Sequence, residues 1–106
     1  MFFSGPKGIA VNRSGHLVVV DNRASCILVF QPNGKLVQKF GSRGSEPNKF
    51  AGPHFVAIDS QDHIIISDFH NHSIKVKMVE IIEYYFFCSK YLDKYFIFYD
   101  KLSSLR

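Results

Sequence analysis

All seven glycines and all four prolines of this 106-residue chain lie at or before Pro53, so its second half lacks the residues that punctuate turns and end strands. Nine of the sixteen aromatics lie after residue 83, and the chain changes character near Lys77. Cysteine is scarce too. Cys26 and Cys88 form neither a CxxC pair nor a multi-cysteine framework, which argues against a disulfide scaffold or a thiolate zinc site and implies a reducing compartment. No leader is legible, because Met1-Phe2-Phe3 runs into Ser4-Gly5-Pro6 without a basic start and a long apolar stretch. The most apolar region, Ile81 to Tyr99, is interrupted by Glu83, Lys90, Asp93 and Lys94, so no membrane span is expected. These absences predict a soluble, cytoplasmic chain with no membrane partner.

What is present is a repeat. Gly5-Pro6-Lys7-Gly8-Ile9-Ala10-Val11-Asn12 returns as Gly52-Pro53-His54-Phe55-Val56-Ala57-Ile58-Asp59, an offset of 47 residues. The echo continues through His16-Leu17-Val18-Val19-Val20-Asp21 against His63-Ile64-Ile65-Ile66-Ser67-Asp68, then through Ile27 and Val29 against Ile74 and Val76. A period of this size made of short β-rich runs indicates propeller blades or a related array, and such arrays need several units to bury a continuous core. Two copies are therefore not expected to be self-sufficient. The formal charge of +4 resides in residues 1–77, where nine Lys/Arg face five Asp/Glu; this permits an anionic partner without demanding one.

The first unit, residues 5–51, reads as four strands: Gly8 to Asn12, Leu17 to Asp21, Cys26 to Gln31 and Lys35 to Phe40. Ser14-Gly15 and Asn33-Gly34 separate them, the second suggesting a primed hairpin turn. The second unit, residues 52–77, gives three strands: Phe55 to Asp59, Ile64 to Asp68 and Ser73 to Lys77. The turn pair and closing Phe-Gly of the first unit have no counterpart after Lys77, so the second unit is incomplete. Residues 78–106 fall outside the repeat. Two readings stand for this tail: an amphipathic helix, since Phe87, Tyr91, Tyr95 and Phe98 follow i, i+4, i+8, i+11, or unrelated sequence of the kind supplied by an alternative terminal exon or translated non-coding sequence.

The run Gly-Pro-x-Gly-Ile-Ala-Val-Asn, then Gly-His-Leu-Val-Val-Val-Asp, then Ile-Leu-Val-Phe with a Pro-Asn-Gly turn and a Phe-Gly close, resembles the NHL repeat. The second unit, with Gly52-Pro53-His54-Phe55-Val56-Ala57-Ile58 and Asp68-Phe69-His70-Asn71-His72-Ser73-Ile74-Lys75-Val76, is similar to the propeller of tripartite-motif NHL proteins, nearest to the neuronal ubiquitin ligases among them. The resemblance implies an all-β partial propeller of about two blades, cut from a longer ligase that carries a RING finger, B-box, coiled coil and filamin-type domain. None of the zinc-ligand spacing of the RING or B-box is present, so the chain itself is not expected to be an enzyme. In the first unit Ala24 stands where the second has Asn71.

Asp68-x-His70-x-His72 would place three metal ligands on one face of an extended strand, but the resemblance makes this stretch a turn that Asp68 and Asn71 hold by hydrogen bonds to the backbone. The first unit has Asp21-Asn22-Arg23-Ala24-Ser25 there, so no metal is built into the repeat. Cys26, in a strand, reads as a packed thiol rather than a nucleophile, and Gly5-Pro6-Lys7-Gly8 lacks the Gly-Lys-Ser/Thr of a phosphate loop. No catalytic residue, metal, cofactor or small-molecule substrate is expected. In antiparallel blades the second-to-third and inter-blade loops share a rim, and this rim would gather Lys7, Arg23, Arg43, Lys49, His54, Phe69, His70 and His72. Cations mixed with planar rings suit a protein partner, such as a ubiquitination substrate, and equally suit single-stranded RNA. The remaining alternative is a truncated product without function, unable to close a ring.

Overall fold

The computed structural model describes residues 3–46 and 48–77 in full and residues 84–89 and 94–99 by their backbone. The all-β expectation holds. The first sheet contains β1 (Pro6–Val11), β2 (Leu17–Asp21), β3 (Cys26–Phe30) and β4 (Leu36–Phe40), antiparallel and in chain order. The second follows the same order through β5 (Pro53–Ile58), β6 (Ile64–Asp68) and β7 (Ser73–Lys77). Both β1 and β5 begin earlier than the sequence suggests, on Pro6 and Pro53; a proline is tolerated at the first position of a strand.

Beyond β7 the sheet continues through β8 (Tyr84–Ser89) and β9 (Lys94–Tyr99), each antiparallel to its predecessor. The helix read from the spacing of Phe87, Tyr91, Tyr95 and Phe98 is thus replaced by strands, while Tyr91 lies outside the described residues. Two physical terms favour the strand. Tyr, Phe and Ile fit a pleated surface better than a helix, and the open edge of β7 offers unpaired backbone groups to the next segment. The repeat pattern itself still ends at Lys77.

Three hairpins, β1–β2, β3–β4 and β5–β6, share one design. Asn12 N donates to His16 O and Gly15 N to Asn12 O, Gln31 N to Lys35 O and Gly34 N to Gln31 O, and Asp59 N to His63 O and Asp62 N to Asp59 O. Each loop therefore has three residues, the last of them left-handed: Gly15 (φ 84°), Gly34 (φ 92°) and Asp62 (φ 64°). The primed turn expected at Asn33-Gly34 is not formed, because Asn33 does not take positive φ. Pro32 accounts for this: its fixed φ suits the first position of an ordinary turn, which Gly34 then closes. Side chains reinforce the loops, with Asn12 Oδ1 accepting from Ser14 N and His16 N, and Asp59 Oδ1 from Gln61 N and His63 N.

Strand alternation sorts the core into two faces. Val18, Val20, Ile27 and Val29 lie on one face of the first sheet, and Val19, Cys26, Leu28 and Phe30 on the other. The first face packs against Val56, Ile58, Ile64 and Ile66 of the second sheet, with Phe50, fully buried, wedged among them from the inter-blade loop. Each such aliphatic side chain contributes about 1.5–3 kcal/mol when fully removed from water. The offset of 47 residues makes this contact head-to-tail, because Val56 and Ile58 are the counterparts of Ile9 and Val11. In the first unit these same positions are open, Ile9 at 61% and Val11 at 58% exposure.

Candidate docking rim

An aspartate at the end of the second strand organises this rim in each unit. Asp21, buried completely, accepts from Ser4 N at 2.7 Å, Gly5 N at 2.9 Å and Ala24 N at 3.0 Å, so it ties the incoming loop to the following turn. Burial works against this carboxylate, but the backbone N–H donors of Ser4, Ala24, Gly5 and Arg23 outweigh it and hold its pKa below the usual 3.8. Asp68 repeats the arrangement, with Ala51 N at 2.7 Å and Asn71 Nδ2 at 2.7 Å. It also forms an ion pair with Lys75 Nζ at 2.8 Å. Asp68 and Asn71 are thus joined side chain to side chain across the turn, and the backbone groups they bind, Ala51 N and Gly44 O, belong to the inter-blade loop rather than to the turn as expected.

The loop after β6 is a short 3-10 turn over Phe69–Asn71, followed by His72 in the left-handed region at φ 52°. Ser25 takes the same conformation in the first unit, at φ 54°. The segment is thus not extended, and the one-face arrangement of Asp68, His70 and His72 does not form. Among the described residues no cluster of three His, Cys, Asp or Glu side chains has metal-binding geometry.

The turn brings three of the anticipated residues into one aromatic shelf. His54 and Phe69 stack in parallel, with centroids 4.5 Å apart and planes 7° from coplanar, and His70 meets Phe69 edge-on at 5.0 Å. Phe69 remains 54% exposed, and neighbouring Phe55, edge-on to His54 at 5.9 Å, is 68% exposed. Gly52 makes the close approach possible. Its φ is 63°, and a Cβ there would lie 2.5 Å from His70 Cδ2.

A second group is polar. Arg43 Nη2 donates to Arg23 O at 2.6 Å, and both side chains are exposed. Asn22 Nδ2 donates to Pro53 O at 3.0 Å and Gly52 N to Ser25 Oγ at 3.2 Å, fastening the first unit's turn to the shelf of the second. Lys49 pairs with Glu46 at 3.5 Å, which neutralises part of the expected positive charge. Lys7 is exposed on β1 and joined to none of these groups, and His72 is exposed beside the shelf.

Cys26 is 2% exposed, and burial pushes its thiol above the ordinary value. It is packed against Val19, Leu28 and Phe30, as a structural thiol would be. The sequence reading missed Phe55, Asn22 and the buried lysines Lys75 and Lys77. A signal for the lysines existed, since they occupy the phase of Leu28 and Phe30 one repeat earlier. No comparable signal marks Asn22, whose counterpart is Phe69.

The NHL repeat model matches residues 3–30 and 50–76. No curated protein matches the chain. The two matched segments start on Phe3 and Phe50, which extends the repeat by two residues upstream of Gly5 and Gly52. Both phenylalanines serve the core, Phe3 tilted on Phe30 at 5.5 Å and Phe50 on Phe40 at 6.5 Å. With two matched units covering just over half its length, folded as successive antiparallel sheets in head-to-tail contact, the chain belongs to the NHL-repeat family.

Proposed function

We propose that the rim formed by His54, Phe69 and His70 with Arg23 and Arg43 docks a protein segment. In this reading the chain is the recruiting part of a tripartite-motif ubiquitin ligase. The observation that supports it most directly is the parallel stack of His54 on the half-exposed Phe69, next to the Asn22–Pro53 and Gly52–Ser25 hydrogen bonds that join the two units. Rigid rings present contact area at little entropic cost, and flanking guanidinium groups donate to carboxylates or stack on a partner's rings. NHL repeats in general mediate protein contacts, in keeping with this use.

Panning a displayed peptide library against the full chain tests the proposal. Peptides that dock on the shelf should lose about tenfold or more in affinity on Phe69→Ala, with a shallow dependence on salt. Selected peptides that bind Phe69→Ala and His54→Ala as well as the parent would refute it. Affinity for single-stranded RNA that falls steeply with salt and collapses when Lys7, Arg23, Arg43 and Lys49 become Glu would assign the rim to nucleic acid instead.

A further inference from the structure

Two lysines are buried between the blades, and among the described residues only Lys75 of the two forms an ion pair. Lys75, 2% exposed, has its ammonium bound by Asp68 Oδ2 at 2.8 Å, by Glu46 O at 3.2 Å and by Lys49 O. Lys77, 5% exposed, lies over the Phe40 ring at 4.8 Å, and among the described residues no carboxylate forms an ion pair with it. It stands where the first unit has Phe30, so an apolar position in the repeat has received a cation.

Lys77 lines a cavity of about 190 Å³ between the sheets, on the hairpin side away from the aromatic shelf. His16 lines the same cavity, and its Nδ1 is buried without a hydrogen-bond partner among the described residues. Asn12 and Gln38 add polar groups, and valine and isoleucine side chains from both sheets make up the rest of the wall. Asp62 also contributes, but its Oδ1 accepts from Arg13 N at 3.3 Å.

We propose that this cavity binds a compact monocarboxylate with an apolar tail. Lys77 and His16 would donate to the carboxylate, and the aliphatic wall would cover the tail. A buried ring nitrogen without a partner costs free energy that such a ligand relieves, and the ligand gives Lys77 the counter-ion that it lacks among the described residues. A neutral apolar ligand would leave both unpaired, whereas a bare inorganic anion would leave the aliphatic wall unused. The size fits, since an apolar cavity of about 150 Å³ suffices for benzene. The site lies apart from the docking rim and does not depend on that reading.

Calorimetric titration of the full chain with isovalerate, benzoate and the neutral isovaleramide tests the assignment. The acids should bind and the amide should bind about tenfold more weakly or not at all. Lys77→Met should weaken isovalerate by about tenfold, and Val37→Trp, at an exposed lining position, should block it while leaving Lys77 in place. N-acetylvaline distinguishes the sources: tighter binding than isovalerate identifies a peptide C-terminus, weaker binding a free acid, and either supports the site. Amide and acid binding equally, Lys77→Met or Val37→Trp binding as the parent does, or no heat from any acid would overturn the proposal.

Discussion

The two units share a backbone plan but differ in how they fill it. In the first, one buried face of β3 carries Cys26, Leu28 and Phe30, and among the described residues the turn aspartate serves only backbone N–H groups. In the second, Lys75 and Lys77 hold the positions of Leu28 and Phe30, and Asp68 must neutralise a cation as well as hold a turn. Lys75 thus sits where a carboxylate is already fixed by backbone geometry. The same aspartate therefore carries unequal weight in the two blades.

Removing that carboxylate is the strongest way to break the comparison. Asp68→Ala leaves Lys75 buried without a counter-ion and should cost about 3–5 kcal/mol in urea unfolding. Asp68→Ala with Lys75→Leu should recover much of that loss, which a double-mutant cycle would read as coupling. Asp21→Ala orphans backbone donors but no cation, and should cost less, about 2–3 kcal/mol. A cost equal to that of Asp68→Ala would show that the lysine pair adds nothing.

Lys77→Phe restores the first unit's residue and should stabilise the chain by about 1–2 kcal/mol at neutral pH. Burial lowers the Lys77 pKa from 10.5, so the charged form costs stability below the folded value and the cost disappears as pH rises toward 10.5. The gain from Lys77→Phe should therefore shrink in alkaline titration, and a constant gain would assign it to packing alone. Asp21 works at the other end of the scale. Its lowered pKa means that its contribution is complete above pH 3.8 and is lost as pH falls through the folded value, whereas Asp21→Asn should flatten that acid limb. The smallest change sharpens the comparison: Ala24→Asn supplies the counterpart of Asn71, and one added hydrogen bond to Asp21 should give about 0.5–1 kcal/mol in thermal unfolding.

Much of this architecture was legible because its causes are local. Short aliphatic runs between polar turn segments defined β2, β6 and β7 to the residue, and the repeat predicted the second unit from the first. Of the residues expected on the rim, Arg23, Arg43, Lys49, Phe69, His70 and His72 lie in loops, whereas Lys7 and His54 lie in β1 and β5. What escaped depends on contacts between units: Arg43 reaching Arg23, Asn22 reaching Pro53, and His54 stacking on Phe69 join residues with no shared local pattern. The lysines escaped because charge outweighed strand phase in the reading, and the tail because aromatic spacing fits more than one period.

The aspartate clamp has a bearing on the order in which such a chain matures. Asp21 and Asp68 draw partners from the loop upstream and the turn just downstream, and Asp21 needs nothing beyond residue 24. A ribosome releasing the chain from its N-terminus would therefore let each unit lock its own turn before the following blade exists, so that synthesis proceeds from one finished corner to the next.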